Sequence, residues 1–289
     1  MIGVYDSGFG GLSVLRALRA RLPTADFVYL GDSGRAPYGG RSPETILDFA
    51  EQAIERLFDE GCTVIVVACN TVSCVALRHL QQRYTPESDG RLRILGVTIP
   101  AAELVVASGA RSVGVLATAR TVASGTYIAE IHKLDPNIRV VQRAAPLLAP
   151  IVEEGWEGTT IAREAVDRYI ADLQECDAIL LGCTHYPLLT DIIAAAAPAA
   201  RILDPSATVA ERLQDWFRRH PRFDTGNTGQ LRVLCSGDPT AFAAHGPRFL
   251  GGPLPVVEPI AELHGRLVPA VQVAHAAGQI VRTSHRMGR

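Results

Sequence analysis

Lysine is almost missing from this chain of 289 residues. Among its 28 basic residues the only lysine is Lys133, in Ile131-His132-Lys133-Leu134-Asp135-Pro136, where the proline and the polar neighbours predict an exposed helix end. Pyridoxal phosphate enzymes need a lysine for their Schiff base, and P-loop enzymes need Gly-Lys-Ser/Thr on a glycine-rich turn, so both classes are disfavoured. A strict Gly-x-Gly-x-x-Gly is also missing, because Gly8-Phe9-Gly10-Gly11 lacks the third spacing. Nicotinamide and flavin cofactors therefore have no support, and the expected chemistry uses side chains alone, with no cofactor and no metal. Long apolar runs are lacking too: the stretch from Ile192 to Ala200 falls short of the about 20 residues of a spanning helix and contains Pro198. The net charge is only −2, which argues against a nucleic-acid or anionic-membrane partner. Ile2-Gly3-Val4-Tyr5 begins right after Met1, leaving no room for a secretory signal, so a cytoplasmic location is expected.

What is present reads as α/β. Apolar residues make up 47% and charged residues 20% of a length suited to two modest domains. Short β-branched runs (Ile2 to Tyr5, Phe27 to Leu30, Thr63 to Ala68, Ile94 to Val97, Ser112 to Ala117, Ile138 to Val141, Ala178 to Gly182, Arg232 to Cys235) alternate with stretches of helical period, the pattern of parallel βαβ units. Ser42-Pro43-Glu44 predicts an N-cap with proline at the first helical position, opening a helix that closes at Gly61. The chain also repeats itself. Gly61-Cys62 through Cys69-Asn70-Thr71 aligns with Glu175-Cys176 through Cys183-Thr184-His185, both cysteine pairs at one spacing. A weaker echo pairs Ile2-Gly3-Val4-Tyr5-Asp6-Ser7 with Val113-Gly114-Val115-Leu116-Ala117-Thr118, and taken alone it is what strand composition would give.

Six cysteines in an expected reducing compartment do not call for a disulfide framework. Cys62, Cys74, Cys176 and Cys235 read as small buried hydrophobes. Cys69 and Cys183 differ, since each ends an apolar strand and meets a helix start, the edge of an open α/β sheet where ligands bind. There the backbone N–H groups favour a thiolate or hold a carboxylate. One such cysteine is as readily structural as a nucleophile, a metal ligand or a base. Two at equivalent places in facing lobes suit inversion at a carbon: one thiolate removes the Cα proton while the opposite thiol protonates the other face. Zinc on Cys69, Cys74, Cys183 and His185 is the competing use, but Cys-x4-Cys and Cys-x-His fit structural-zinc spacings badly. A covalent cysteine hydrolase would leave one of the two cysteines unexplained.

Asp6-Ser7-Gly8-Phe9-Gly10-Gly11-Leu12-Ser13-Val14, Gly31-Asp32 with Pro37-Tyr38-Gly39, Cys69-Asn70-Thr71 and Gly182-Cys183-Thr184-His185-Tyr186-Pro187, taken together and in order, resemble the glutamate racemase family. The resemblance runs to about residue 260 and includes Ser236-Gly237-Asp238-Pro239. It implies two facing, pseudo-symmetric, flavodoxin-like parallel-sheet lobes with the active site in the cleft between them: residues 1–96 plus 207–260 in the first and 97–206 in the second; residues 261–289 lie beyond the matched region and read as an extension, helical and then frayed. It implies a cofactor-independent racemase making D-glutamate for peptidoglycan, with Cys69 acting on the D-isomer and Cys183 on the L-isomer. Asp6, Ser7, Tyr38, Gly39, Asn70, Thr71, Thr184 and His185 are implied as the surroundings of the amino acid, with Asp6 able to take the substrate ammonium or to assist the proton movements of Cys69, and His185 to hold the proton balance of Cys183. Thr118, Thr121 and Glu153 fall where the family has further pocket residues. Each also has an ordinary reading: Asp6, Ser7, Thr71 and Thr184 as helix caps, Asn70 as an Asx turn, His185 as a cap or a packed ring, and the loop around Tyr38 as a surface turn. The expected partner is the small-molecule substrate, with a homodimer as the assembly to test. The nearest alternative is an aspartate or related amino-acid racemase with the same paired cysteines, and a different class is a two-lobed amino-acid-binding module without catalysis.

Overall fold

The computed structural model describes residues 1–223, 225 and 228–273. Its strands are β1 (Ile2–Asp6), β2 (Phe27–Gly31), β3 (Val64–Val67) and β4 (Arg93–Gly96), then β5 (Ser112–Ala117), β6 (Arg139–Ala144), β7 (Ala178–Gly182) and β8 (Arg201–Leu203), then β9 (Leu231–Cys235), β10 (Val257–Leu263) and β11 (Arg266–Pro269). All the strands read from the sequence are among them. They form a seven-stranded sheet of order β11-β10-β9-β2-β1-β3-β4 and a four-stranded sheet of order β6-β5-β7-β8. Every pairing is parallel except the β10–β11 hairpin. The chain thus leaves the first sheet after β4 and returns to it after β8.

The two sheets share a four-strand unit, β2-β1-β3-β4 in one and β6-β5-β7-β8 in the other. In this unit β1 corresponds to β5 and β3 to β7, so the weak echo between Ile2 and Val113, which composition alone would explain, marks equivalent central strands just as the cysteine echo does. The doubly wound order fixes where a ligand can sit. Helices cross to opposite faces on either side of the central strand, leaving a crevice at the carboxyl ends of β1 and β3, and of β5 and β7.

Helix formation follows local chemistry. Ser42 caps Pro43–Asp59 by accepting a hydrogen bond from the Thr45 N–H at 3.2 Å, and Gly61 leaves the helix at φ +82°. Ile46, Ala50, Ala53, Ile54 and Leu57 line its buried face at helical spacing; full burial of each Ile or Leu contributes roughly 1.5–3 kcal/mol. Lys133 lies in the last turn of Thr126–Leu134, exposed and paired with Glu130, as its neighbours predicted. One apolar cluster joins the lobes, with Val14, Ala68 and Val209 packed in the same core as Leu116, Leu181 and Cys183. No helix among the described residues is long and apolar enough to cross a membrane.

The end of the chain differs from expectation. Residues from 261 onward were expected to be helical, yet Val257–Leu263 and Arg266–Pro269 pair as an antiparallel hairpin on the sheet edge. Its two-residue turn, His264-Gly265, has φ of +52° and +74°, and positive φ at both central positions is the turn that matches the twist of flanking strands. Residues 270–273 are helical, and the remainder of the expected extension, 274–289, lies outside the described residues.

Candidate active site

Both cysteines singled out by the repeat sit at the crevice edge. Cys69 follows β3 and stands at the N-cap of the helix Asn70–Val75, and Cys183 follows β7 ahead of a 3-10 turn, Tyr186–Leu189. Each is nearly buried, with 5% and 7% of its surface exposed. Their surroundings are unequal. The Sγ of Cys69 lies 3.5 Å from Ser7 Oγ, and burial, then the nearby Asp6 carboxylate, push its thiol up to about 12. The charge of Cys183 adds to that rise, so the two sulfurs share one electrostatic site.

Cys183 faces an imidazole. His185 Nδ1 is 3.7 Å from its Sγ, and Nε2 is 3.0 Å from Glu153 Oε1, making a line of thiol, ring and carboxylate. Burial disfavours the imidazolium, yet the hydrogen bonds and charges of Cys183 and Glu153 outweigh it and raise His185 to about 10. Glu153 ends the helix Leu148–Glu153.

Asp6 is fully buried between the two halves. It accepts hydrogen bonds from the Gly8 N–H at 2.9 Å and from Thr184 Oγ1 at 3.4 Å, so it braces its own glycine turn and reaches the opposite lobe. Burial raises its carboxyl, and the His185 charge opposes that rise. The carboxylate holds a turn amide, but the N-cap of the following helix Leu12–Arg21 is Gly11, so Asp6 is not its cap residue. Gly10 shows how tight the contact is: a Cβ there would lie 2.2 Å from Thr184 Oγ1 and 2.6 Å from His185 Nδ1.

Three hydroxyls close the other side. Thr71 Oγ1 is 3.0 Å from Thr118 Oγ1 and 3.3 Å from Thr121 Oγ1, joining the turn after β3 to the turn after β5. Thr118 also caps the helix Ala119–Ser124, accepting from the Thr121 N–H at 3.3 Å. The Gly39 carbonyl accepts from the Arg120 N–H at 2.9 Å, and a Cβ on Gly39 would approach Thr118 Cβ to 2.9 Å, so this loop spans the lobes through its backbone. Tyr38 turns its hydroxyl away to the buried Asp32, while the Tyr5 hydroxyl donates to it at 3.1 Å. Asp32 in turn holds Arg35 and Ser236, so Tyr38 anchors the loop rather than offering its hydroxyl.

Some parts of this arrangement carried no sequence signal. Tyr127, buried in the helix Thr126–Leu134, donates to Asn70 Oδ1 and so leaves the Asn70 amide N–H groups to face elsewhere. Ser13 Oγ donates to the Thr184 carbonyl at 3.2 Å and Tyr29 to the Gly8 carbonyl at 2.8 Å. Nothing in the spacing of Tyr127 or Tyr29 pointed at the cysteines, although Ser13 lay inside the first motif. Of the remaining cysteines, Cys62, Cys176 and Cys235 are buried, whereas Cys74 is half-buried. Among the described residues no group of three or more His, Cys, Asp or Glu is arranged to hold a metal ion.

Comparison with known proteins gives the family. A family model described as Asp/Glu/Hydantoin racemase matches residues 12–213. The glutamate racemase of Caulobacter sp. (strain K31) is 39% identical over 277 residues, covering 88% of this chain and 98% of that protein. The chain belongs to the glutamate racemase family. It is an amino-acid racemase, an isomerase. The crystal structure of the family member from Francisella tularensis, in complex with D-glutamate, superposes with a TM-score of 0.83 at 31% identity, covering 90% of this chain and 97% of that one. Picrophilus torridus aspartate racemase shares the fold, with a TM-score of 0.53 at 21% identity.

Proposed function

We propose that this chain interconverts L- and D-glutamate without a cofactor, through Cys69 and Cys183, and supplies D-glutamate for peptidoglycan synthesis in the cytoplasm. The observation that carries the reading is the pair of thiols at equivalent crevice positions of two pseudo-symmetric sheets, held in one electrostatic site. Such thiols address opposite faces of a bound Cα.

Their unequal surroundings set the direction of each half-reaction. With His185 3.7 Å away and backed by Glu153, Cys183 passes its proton to the imidazole and acts as the base that removes the Cα proton of L-glutamate. Cys69, kept protonated by burial and by Asp6, delivers its proton to the opposite face, giving the D-isomer. The reverse reaction starts with the proton states exchanged. The Cα–H is weakly acidic, so the negative charge that builds up on the carbanion and its carboxylate must be met by fixed donors. The hydroxyls of Thr71, Thr118, Thr121, Thr184 and Ser7, the amide of Asn70 and the backbone of Tyr38 and Gly39 supply these donors in a site nearly closed to water. Asp6 accepts the substrate ammonium.

L-glutamate and, separately, L-aspartate are incubated with the purified protein in D2O, followed by circular dichroism and by NMR at Cα. Loss of optical activity with deuterium at Cα for glutamate alone is expected. Exchange of aspartate alone overturns the substrate, and no exchange with either overturns the reaction. A Cys69→Ser protein that racemises at the normal rate overturns the two-thiol mechanism.

A further inference from the structure

The imidazole relay behind Cys183 belongs to the second lobe, yet one helix of the first lobe grips it from two sides. This helix, Pro239–Leu250, follows β9 and places two consecutive residues against the opposite lobe. Phe249, fully buried, meets the His185 ring edge-on with centroids 5.5 Å apart. Arg248 reaches past it, donating a hydrogen bond to the Val152 carbonyl at 2.8 Å and pairing with Glu157.

Val152 immediately precedes Glu153. The segment that carries the relay carboxylate is a six-residue helix, Leu148–Glu153, followed by a reversal at Gly155 with φ +74°. A short helix holds its end poorly by itself, because its last carbonyls lack partners within the helix. The Val152 carbonyl receives the Gly155 N–H at 3.0 Å, and the Arg248 guanidinium adds a charge-assisted bond to the same oxygen. Arg248 also packs on the reversal itself: a Cβ on Gly155 would stand 3.4 Å from its Nη1. Glu153 Oε1 then meets His185 Nε2 at 3.0 Å. The line from Arg248 to Val152, Glu153, His185 and Cys183 therefore runs from one lobe into the acid/base group of the other.

We infer that Arg248 is a positioning residue of the racemisation reaction: from the first lobe it fixes the Glu153 helix end, and thereby the His185 ring, so that the Cys183 half-reaction is fully supported only when the lobes are docked. The inference rests on Cys183 being one of the two acid/base groups. Removing the guanidinium slows proton transfer at Cys183 while leaving the Cys69 side intact.

Primary deuterium isotope effects on kcat/KM separate these steps. With [2-2H]glutamate of each enantiomer, slowing one thiol's step raises the effect for the isomer that thiol deprotonates and lowers it for the other. Cys69→Ser and Cys183→Ser calibrate the two directions. Arg248→Met is expected to lower kcat/KM about tenfold, the scale of a misplaced catalytic group being up to about a hundredfold per ångström. It is also expected to move the two isotope effects in the same sense as Cys183→Ser. Arg248→Lys, which retains a donor for the Val152 carbonyl, restores both toward wild type, and Glu157→Gln moves them in the same sense by a smaller amount. A loss of activity in these variants with unchanged isotope effects, or movement in the sense of Cys69→Ser, overturns the inference. Inactivity of the wild-type protein toward glutamate overturns the reaction itself, a separate result.

Discussion

Gly10→Ala probes the lobe contact most directly. The new Cβ would stand 2.2 Å from Thr184 Oγ1, 2.6 Å from His185 Nδ1 and 2.8 Å from His185 Cε1. Ordinary contacts begin near 3.4 Å, so roughly 1 Å must be found somewhere. Neither neighbour yields freely, since Thr184 is tied to Asp6 and His185 is held at both ring nitrogens by Cys183 and Glu153. The lobes must part or the relay must rotate. Overpacking of this kind costs about 1–3 kcal/mol, and a melting shift of roughly 2–4 °C per kcal/mol for a chain above 150 residues places the fall in Tm at several degrees. In the proposed mechanism the effect on catalysis is larger, because a displacement of about 1 Å at reacting groups costs on the order of a hundredfold. Circular dichroism gives kcat/KM for racemisation, and a thermal melt of the same preparation gives Tm. Gly40→Ala is the matched control, since nothing lies within 4 Å of its Cβ and its effect on stability stays within about 1 kcal/mol. A Gly10→Ala enzyme that keeps its activity within about threefold of wild type would refute the reasoning, because the relay would then not need the geometry described.

Stability should depend on pH through His185. Its folded-state value of about 10 lies above the ordinary 6.5, so protonation favours the folded state. The contribution is complete below pH 6.5 and is lost as pH rises through about 10. Denaturant unfolding at intervals from pH 6 to 10 is expected to show wild type losing its advantage over His185→Asn across that window, and a constant difference would contradict the assignment. Tyr127→Phe strips Asn70 Oδ1 of its donor. A buried acceptor left alone costs about 1–3 kcal/mol, and because the proposed site places Asn70 beside the substrate, KM for glutamate should rise more than kcat falls; a variant with unchanged KM and full stability would show that the bond does not orient Asn70.

The parts of this fold legible in the sequence are those with a local cause. Ser42-Pro43 opened its helix because capping needs only residues a few positions apart, and the parallel strands declared themselves as β-branched runs buried on both faces. The cysteines were legible through repetition, since equivalent strands in two lobes carried the same ending. The misreadings have physical reasons as well. Arg201–Leu203, not among the strands read from the sequence, is too short to show any period, and the hairpin beyond residue 257 turns on His264-Gly265, a pair whose positive φ values come from the turn and not from a familiar Asn-Gly. Tyr127 and Arg248 sit far along the chain from the groups they hold and were outside any spacing argument.

That division bears on how the site works. The motif residues on each lobe present a thiol and hydroxyls at a strand end, which short-range sequence specifies. The two ends are unequal through local groups, His185 and Glu153 beside Cys183 and Asp6 beside Cys69, and contacts across the cleft buttress them. Asp6 of the first lobe touches Thr184 of the second, Ser13 donates to the Thr184 carbonyl, Phe249 meets His185, and Arg248 donates to the Val152 carbonyl just before Glu153. On the Cys69 side the reciprocal contacts are hydroxyls, Thr118 and Thr121 facing Thr71, which carry no charge and cannot accept a proton as an imidazole does. A symmetric fold thus carries an asymmetric pair of thiols, one facing an imidazole backed by a carboxylate and the other buried beside Asp6. The proposed two-thiol reaction needs this inequality at any instant, because it begins with one base and one acid and ends with the two exchanged.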